Sequence, residues 1–132
     1  MRVFLVMFIM VLAGCTDTPQ GITPVQSFDL TRYLGAWYEI YRLDHAYERD
    51  MQAVTATYGV NENGSIKVLN SVYDEVKEEY RASGGRALFV GAEDEGHLKV
   101  SFFPFVYGAY VILELGENYD YAMVTSYNHD FF

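Results

Sequence analysis

The sequence predicts an all-β fold, an antiparallel up-and-down barrel, and three observations predict it. Seven short strand-like stretches occur, three of which alternate apolar with polar residues. Turn residues separate most neighbouring stretches. The chain carries twelve Tyr and nine Phe in 132 residues, and aromatic side chains fit a pleated, half-buried surface. No stretch after residue 35 keeps helical spacing. The length suits one domain, and 51% hydrophobic residues is too apolar for disorder.

The first fifteen residues, MRVFLVMFIMVLAGC, read as an address. Arg2 is their only charge. The apolar run Val3 to Ala13 is too short to span a bilayer but suits the core of a secretory signal. It ends in Leu12-Ala13-Gly14-Cys15, which resembles the lipobox of bacterial lipoproteins. That resemblance implies a diacylglyceryl thioether on Cys15, cleavage before it and acylation of the new amine. Residues 1–14 are then a signal peptide and 15–27 a lipidated N-terminus and tether. Several acyl chains hold a protein on a membrane where one barely does. Thr16, in the position that sorts lipoproteins, points to the outer membrane and its periplasmic face.

Residues 16–27 are polar, with Pro19, Gly21 and Pro24, and read as a tether. Phe28 to Leu34 fits one short helical turn. Strands are then expected at Trp37 to Leu43, Ala53 to Val60, Ile66 to Tyr73 and Gly85 to Gly91, the last starting nearer Tyr80. Three more follow at His97 to Phe103, Tyr107 to Leu115 and Tyr119 to Thr125. Asn63-Gly64 is a strong hairpin signal. Phe131-Phe132 read as the start of an eighth strand.

In the second strand Val54, Ala56, Tyr58 and Val60 share one face. In the third, Ile66, Val68, Asn70 and Val72 do. In the fifth, Leu98, Val100 and Phe102 do. Such alternation puts one face against an apolar interior and the other in water. It does not distinguish a filled interior from a cavity, since about eight strands enclose either. The sixth strand is apolar on both faces, which implies cover from another element.

The formal charge is −9, and removal of Arg2 with the signal deepens it by one. An acidic surface repels nucleic acid and anionic headgroups, so no nucleic-acid partner is expected. Any membrane link must be covalent or apolar. The single cysteine excludes an intrachain disulfide and a Cys-rich zinc site.

Gly35-Ala36-Trp37-Tyr38-Glu39-Ile40, preceded by Phe28-Asp29-Leu30 and Tyr33-Leu34, resembles the lipocalin signature: a short helical turn, then Gly-x-Trp opening the first strand. Val54-Thr55-Ala56-Thr57-Tyr58, Leu98 to Phe103, Tyr107 to Ile112 and Tyr119 to Ser126 follow in that family's order. With the lipobox, residues 28–132 are similar to the bacterial outer-membrane lipocalins of the apolipoprotein D group. The resemblance implies a cup-shaped barrel that binds fatty acids or lysophospholipids, with Gly35 and Trp37 as structural signature at the closed end. The inward faces then give Val54, Ala56, Tyr58, Val68, Phe89 and Phe102 as ligand lining. The family continues through a full eighth strand, an Arg over the signature Trp and a C-terminal helix. The expectation for this chain is therefore a C-terminally truncated barrel with an open seam between its first and seventh strands.

Enzyme chemistry is not expected, nor any cofactor or metal. His45, His97 and His129 share no metal-ligand spacing. There is no HExxH, GxSxG or phosphate loop, and Asp44-His45 lacks a serine motif. Arg42, Arg49 and Arg86 could meet a carboxylate at the barrel mouth or be solvated charges. The leading expectation is a membrane-anchored carrier of a small hydrophobic ligand. The alternatives are a structural or partner-binding lipoprotein with a filled barrel, or a non-functional fragment.

Overall fold

A computed structural model describes residues 16–42 and 51–127. Cys15, His45, Arg49, His129 and the expected eighth strand lie outside the described residues. One short helix, α1 (Leu30–Tyr33), precedes seven strands: β1 (Gly35–Tyr38), β2 (Met51–Val60), β3 (Ile66–Asp74), β4 (Glu79–Phe89), β5 (His97–Phe103), β6 (Val106–Leu115) and β7 (Ala122–Tyr127). They form one antiparallel sheet in sequence order, with β1 and β7 at its edges. The all-β expectation holds, as a half-barrel.

Helix α1 stays short because its ends are capped within one turn. The Asp29 carboxylate accepts from the Thr31 N–H at 2.9 Å, and the Leu34 N–H donates to Leu30 O. Gly35 then turns the chain into β1 at φ +102, a conformation that L side chains resist.

The strand ends differ from the sequence expectation where local geometry intervenes. β1 leaves the sheet after Tyr38, although apolar residues continue to Leu43. A bulge lies between Gln52 and Thr55 of β2, with Ala53 at positive φ. The Glu39 N–H donates to Val54 O at 2.9 Å beside the bulge. β4 begins at Glu79, close to the earlier start expected near Tyr80, and its small residues Ala82 to Gly85 pair with β3 throughout. β7 begins at Ala122, because Gly116 to Tyr121 are used in the turn, where the Gly116 N–H bonds Tyr121 O and the Tyr119 N–H bonds Gly116 O.

The alternating direction of the strands gives the half-barrel two ends. Turns 61–65, 90–96 and 116–121 gather at one, together with α1. Turns 75–78 and 104–105 and residues 39–42 gather at the other. Helix α1 closes the first end by crossing it. The Asp29 N–H donates to Tyr119 Oη at 2.9 Å, and Arg32 donates to Glu117 O at 2.9 Å with its guanidinium 4.2 Å from the Tyr119 ring. The Phe28 N–H donates to Asp94 O.

The core sits at this closed end. Phe28, Tyr33, Ile66, Val68, Ala87, Leu98 and Ile112 are buried together, with Trp37, Tyr58, Val100, Tyr110 and Val124 packed against them. Within 16–27 the chain is stitched to the sheet: the Val25 N–H bonds Ile112 O, and the Gly96 N–H bonds Val25 O. Ala109 and Val111, on the face of β6 opposite Tyr110, are fully buried as well. His97, the cross-strand partner of Val111, bonds to Thr16 O at 2.6 Å, so the N-terminal segment reaches this outer face.

Candidate functional site

The concave face of the sheet encloses a cavity of about 100 Å³ above α1. Apolar side chains dominate its lining: Phe28, Leu30, Ile66, Val68, Ala87, Leu98, Val100 and Phe102. The remainder are Tyr33, Tyr58, Asn70, Tyr110 and Ser126. Strand alternation explains the set. Ile66, Val68 and Asn70 share one face of β3, and Leu98, Val100 and Phe102 share one face of β5. Tyr110 stands between Leu98 and Ser126, its partners on β5 and β7.

Gly85 shapes the upper wall. A side chain there would meet Ser101 O at 2.6 Å and the Phe102 ring at 2.7 Å, so the bare backbone makes room for the edge of the Phe102 ring against β4.

Three phenols form the floor. Tyr33 Oη and Tyr58 Oη each lie 2.8 Å from Tyr110 Oη. Their rings pack together, Tyr33 to Tyr58 at 5.5 Å and Tyr58 to Tyr110 at 6.2 Å between centroids. Burial pushes all three phenols above their ordinary value, Tyr110 well above it, because a phenolate here would lose its water. Trp37 supports the floor from below. Its ring stacks 4.6 Å from Tyr33 and its Nε1 donates to Tyr33 O at 2.8 Å.

The sequence-derived lining residues fall in different places. Tyr58, Val68 and Phe102 line the cavity together. Ala56 is half-buried between Trp37 and Asn70 in the pairing, and its methyl is too short to reach the space. Val54 lies at the mouth beside Glu39 to Arg42, where the β2 bulge interrupts the alternation. Phe89 packs edge-on against Phe28 at 6.1 Å, at the closed-end terminus of β4. Gly35 and Trp37 open β1 beneath the floor. Arg42 pairs with Glu39 at 2.8 Å. Arg86 points to the outer face, where its Nε donates to Tyr107 Oη at 2.9 Å.

Sequence reasoning left out Tyr33 and Tyr110. Tyr33 comes from a helical turn, outside any strand pattern. Tyr110 sits in a strand apolar on both faces, so alternation gives it no side. Among the described residues no group of three or more His, Cys, Asp or Glu side chains could hold a metal.

Comparison with known proteins agrees with this architecture. The profile of the lipocalin-like domain matches residues 28–132. The outer membrane lipoprotein Blc of Vibrio cholerae serotype O1 is 46% identical over 130 residues, covering 98% of this chain and 76% of its own. Outer membrane lipoprotein Blc of Escherichia coli K12 is 40% identical over 124 residues, covering 94% and 70%. Among solved structures, insecticyanin from the tobacco hornworm Manduca sexta superposes with a TM-score of 0.66 at 24% identity. That match covers 82% of this chain and 58% of insecticyanin, and it speaks to the fold alone.

Proposed function

The chain belongs to the lipocalin family, and from that premise we propose that it holds a small hydrophobic ligand against the concave face of its sheet. The observation that carries the reading is the apolar cavity above α1, walled by residues of β2 to β7. An acyl tail of a fatty acid or lysophospholipid enters the cavity, and its headgroup stays towards the mouth. Removal of apolar area from water drives entry at about 25 cal/mol per Å². Only part of that energy becomes affinity, because ordering the tail opposes it.

Cys15 carries the lipid anchor in this reading, and the protein resides at the outer membrane with the barrel on the periplasmic side. The lipobox and the names of the Blc relatives support that placement.

The enclosed volume favours a second reading. About 100 Å³ is less than the roughly 300–1,000 Å³ of a typical ligand site, as expected if the protein's own side chains fill the interior. A fatty-acid titration separates the two. Trp37 is the only tryptophan and stacks on Tyr33 of the floor, so its fluorescence reports occupancy. Saturation at one ligand per chain supports the carrier. No change in fluorescence, with no ligand retained on gel filtration, rejects it.

A further inference from the structure

We infer that the floor of the cavity is a subsite for a neutral hydrogen-bond acceptor, a ketone or ester oxygen within the buried part of the ligand. This rests on the reading that the concave face takes an apolar ligand. It adds that the ligand is oxygenated at depth.

The argument is a proton count. Tyr33, Tyr58 and Tyr110 bring three hydroxyl protons. They make two hydrogen bonds, both at Tyr110 Oη. A phenol has one proton, so Tyr110 cannot donate to both neighbours. In every allowed arrangement two protons are used and one is left over. No other protein group among the described residues bonds to these hydroxyls. The spare proton has no protein acceptor among the described residues, and the cavity that all three side chains line is the space open to it. A buried donor without a partner is costly, which makes an acceptor in the ligand favourable there.

The acceptor must be neutral. None of the residues lining the cavity carries a positive charge. A carboxylate on the floor would be desolvated with no counter-charge. The same burial lifts the three phenols, which shows the site opposing negative charge. Asn70 and Ser126, the latter paired with Tyr110 across β6 and β7, also line the cavity and are the competing donors.

The test uses the full chain and 2-nonanone labelled with ¹³C at the carbonyl, with 1-nonene as the hydrocarbon control. The bound carbonyl resonance should move downfield, as it does in a hydrogen-bonding solvent. The variant with Tyr33→Phe, Tyr58→Phe and Tyr110→Phe removes all three hydroxyls at nearly constant shape. It should give a hydrocarbon-like carbonyl resonance and lower the affinity for the ketone about fivefold relative to that for nonene. The double variant Tyr33→Phe, Tyr58→Phe keeps one hydroxyl and one free proton. It should retain the downfield shift.

A hydrocarbon-like resonance in the native chain overturns the inference, whether or not the triple variant folds. A shift that persists in the triple variant also overturns it and assigns the donor to Asn70 or Ser126. Nonene binding without ketone binding overturns the inference and leaves the carrier reading standing. Uptake of neither overturns both.

Discussion

The closed end and the mouth of this half-barrel use the same residue types and reach opposite outcomes. Leu98 and Phe102 share one face of β5, yet Leu98 at the closed end is 4% exposed and Phe102, nearer the mouth, 38%; in the mouth turn Phe105 is 98% exposed. The same strands run through both ends. At the closed end α1 and residues 25–28 cross the sheet and exclude water. Among the described residues nothing crosses the mouth. Alternation thus decides which face a side chain takes, and a covering element decides whether that face is dry.

The largest contrast should appear in alkali, because three phenols at the closed end act together. Tyr33, Tyr58 and Tyr110 hold their protons more tightly in the fold than at the ordinary value of 10.0, chiefly through burial. Their contribution to stability is whole below pH 10.0 and is lost as pH rises through the higher folded values. At the mouth the sign reverses. The Asp74 carboxylate accepts from the Lys77 N–H, Arg81 and the Val76 N–H, which hold it below its ordinary 3.8. That contribution is whole above 3.8 and is lost as pH falls through the lower folded value. Denaturant unfolding across pH should show both limbs. The triple Phe variant should shrink the alkaline limb, leaving the part from Tyr121, which its hydrogen bond to Glu114 also raises, and Asp74→Asn should remove the acid limb alone. An alkaline limb unchanged in the triple variant would break the assignment.

Ile112→Ala removes a fully buried side chain where Val25 packs over β6, and should cost about 2–5 kcal/mol. Urea midpoints at constant slope measure it. A loss below about 1 kcal/mol would mean that the closed end is already loosely packed.

Asp29→Ala removes the cap of the element that closes this end, and should cost about 1 kcal/mol. Circular dichroism melts give its size. The control is Thr31→Ala, which leaves the capping carboxylate and the Thr31 N–H in place.

Phe105→Ser, at the mouth, should change stability by less than about 0.5 kcal/mol despite deleting an aromatic ring. A larger loss would show that the ring is covered in solution, and the contrast between the two ends would have to be redrawn.

Much of this arrangement is legible in the residues themselves. Asn63-Gly64 marks the β2–β3 hairpin, and Gly64 turns there at φ +83. Ile66, Val68 and Asn70, and Leu98, Val100 and Phe102, announce their shared faces by spacing two apart. Gly35 and Trp37 mark the entry to β1. Position within a face was less legible. Ala56 and Tyr58 have the same parity, yet only the longer side chain reaches the cavity. Val54 has it too, and the bulge at Ala53 displaces it.

The sequence alone determined the succession of strands, most of the turns between them and the apolar inward face, because alternation and turn residues are written in short local stretches. Only the tertiary structure decided that Tyr33, Tyr58 and Tyr110 meet. They come from a helical turn and two strands, up to 77 residues apart. Local pattern carries no term for contacts between such distant segments, and the curvature of the whole sheet sets them.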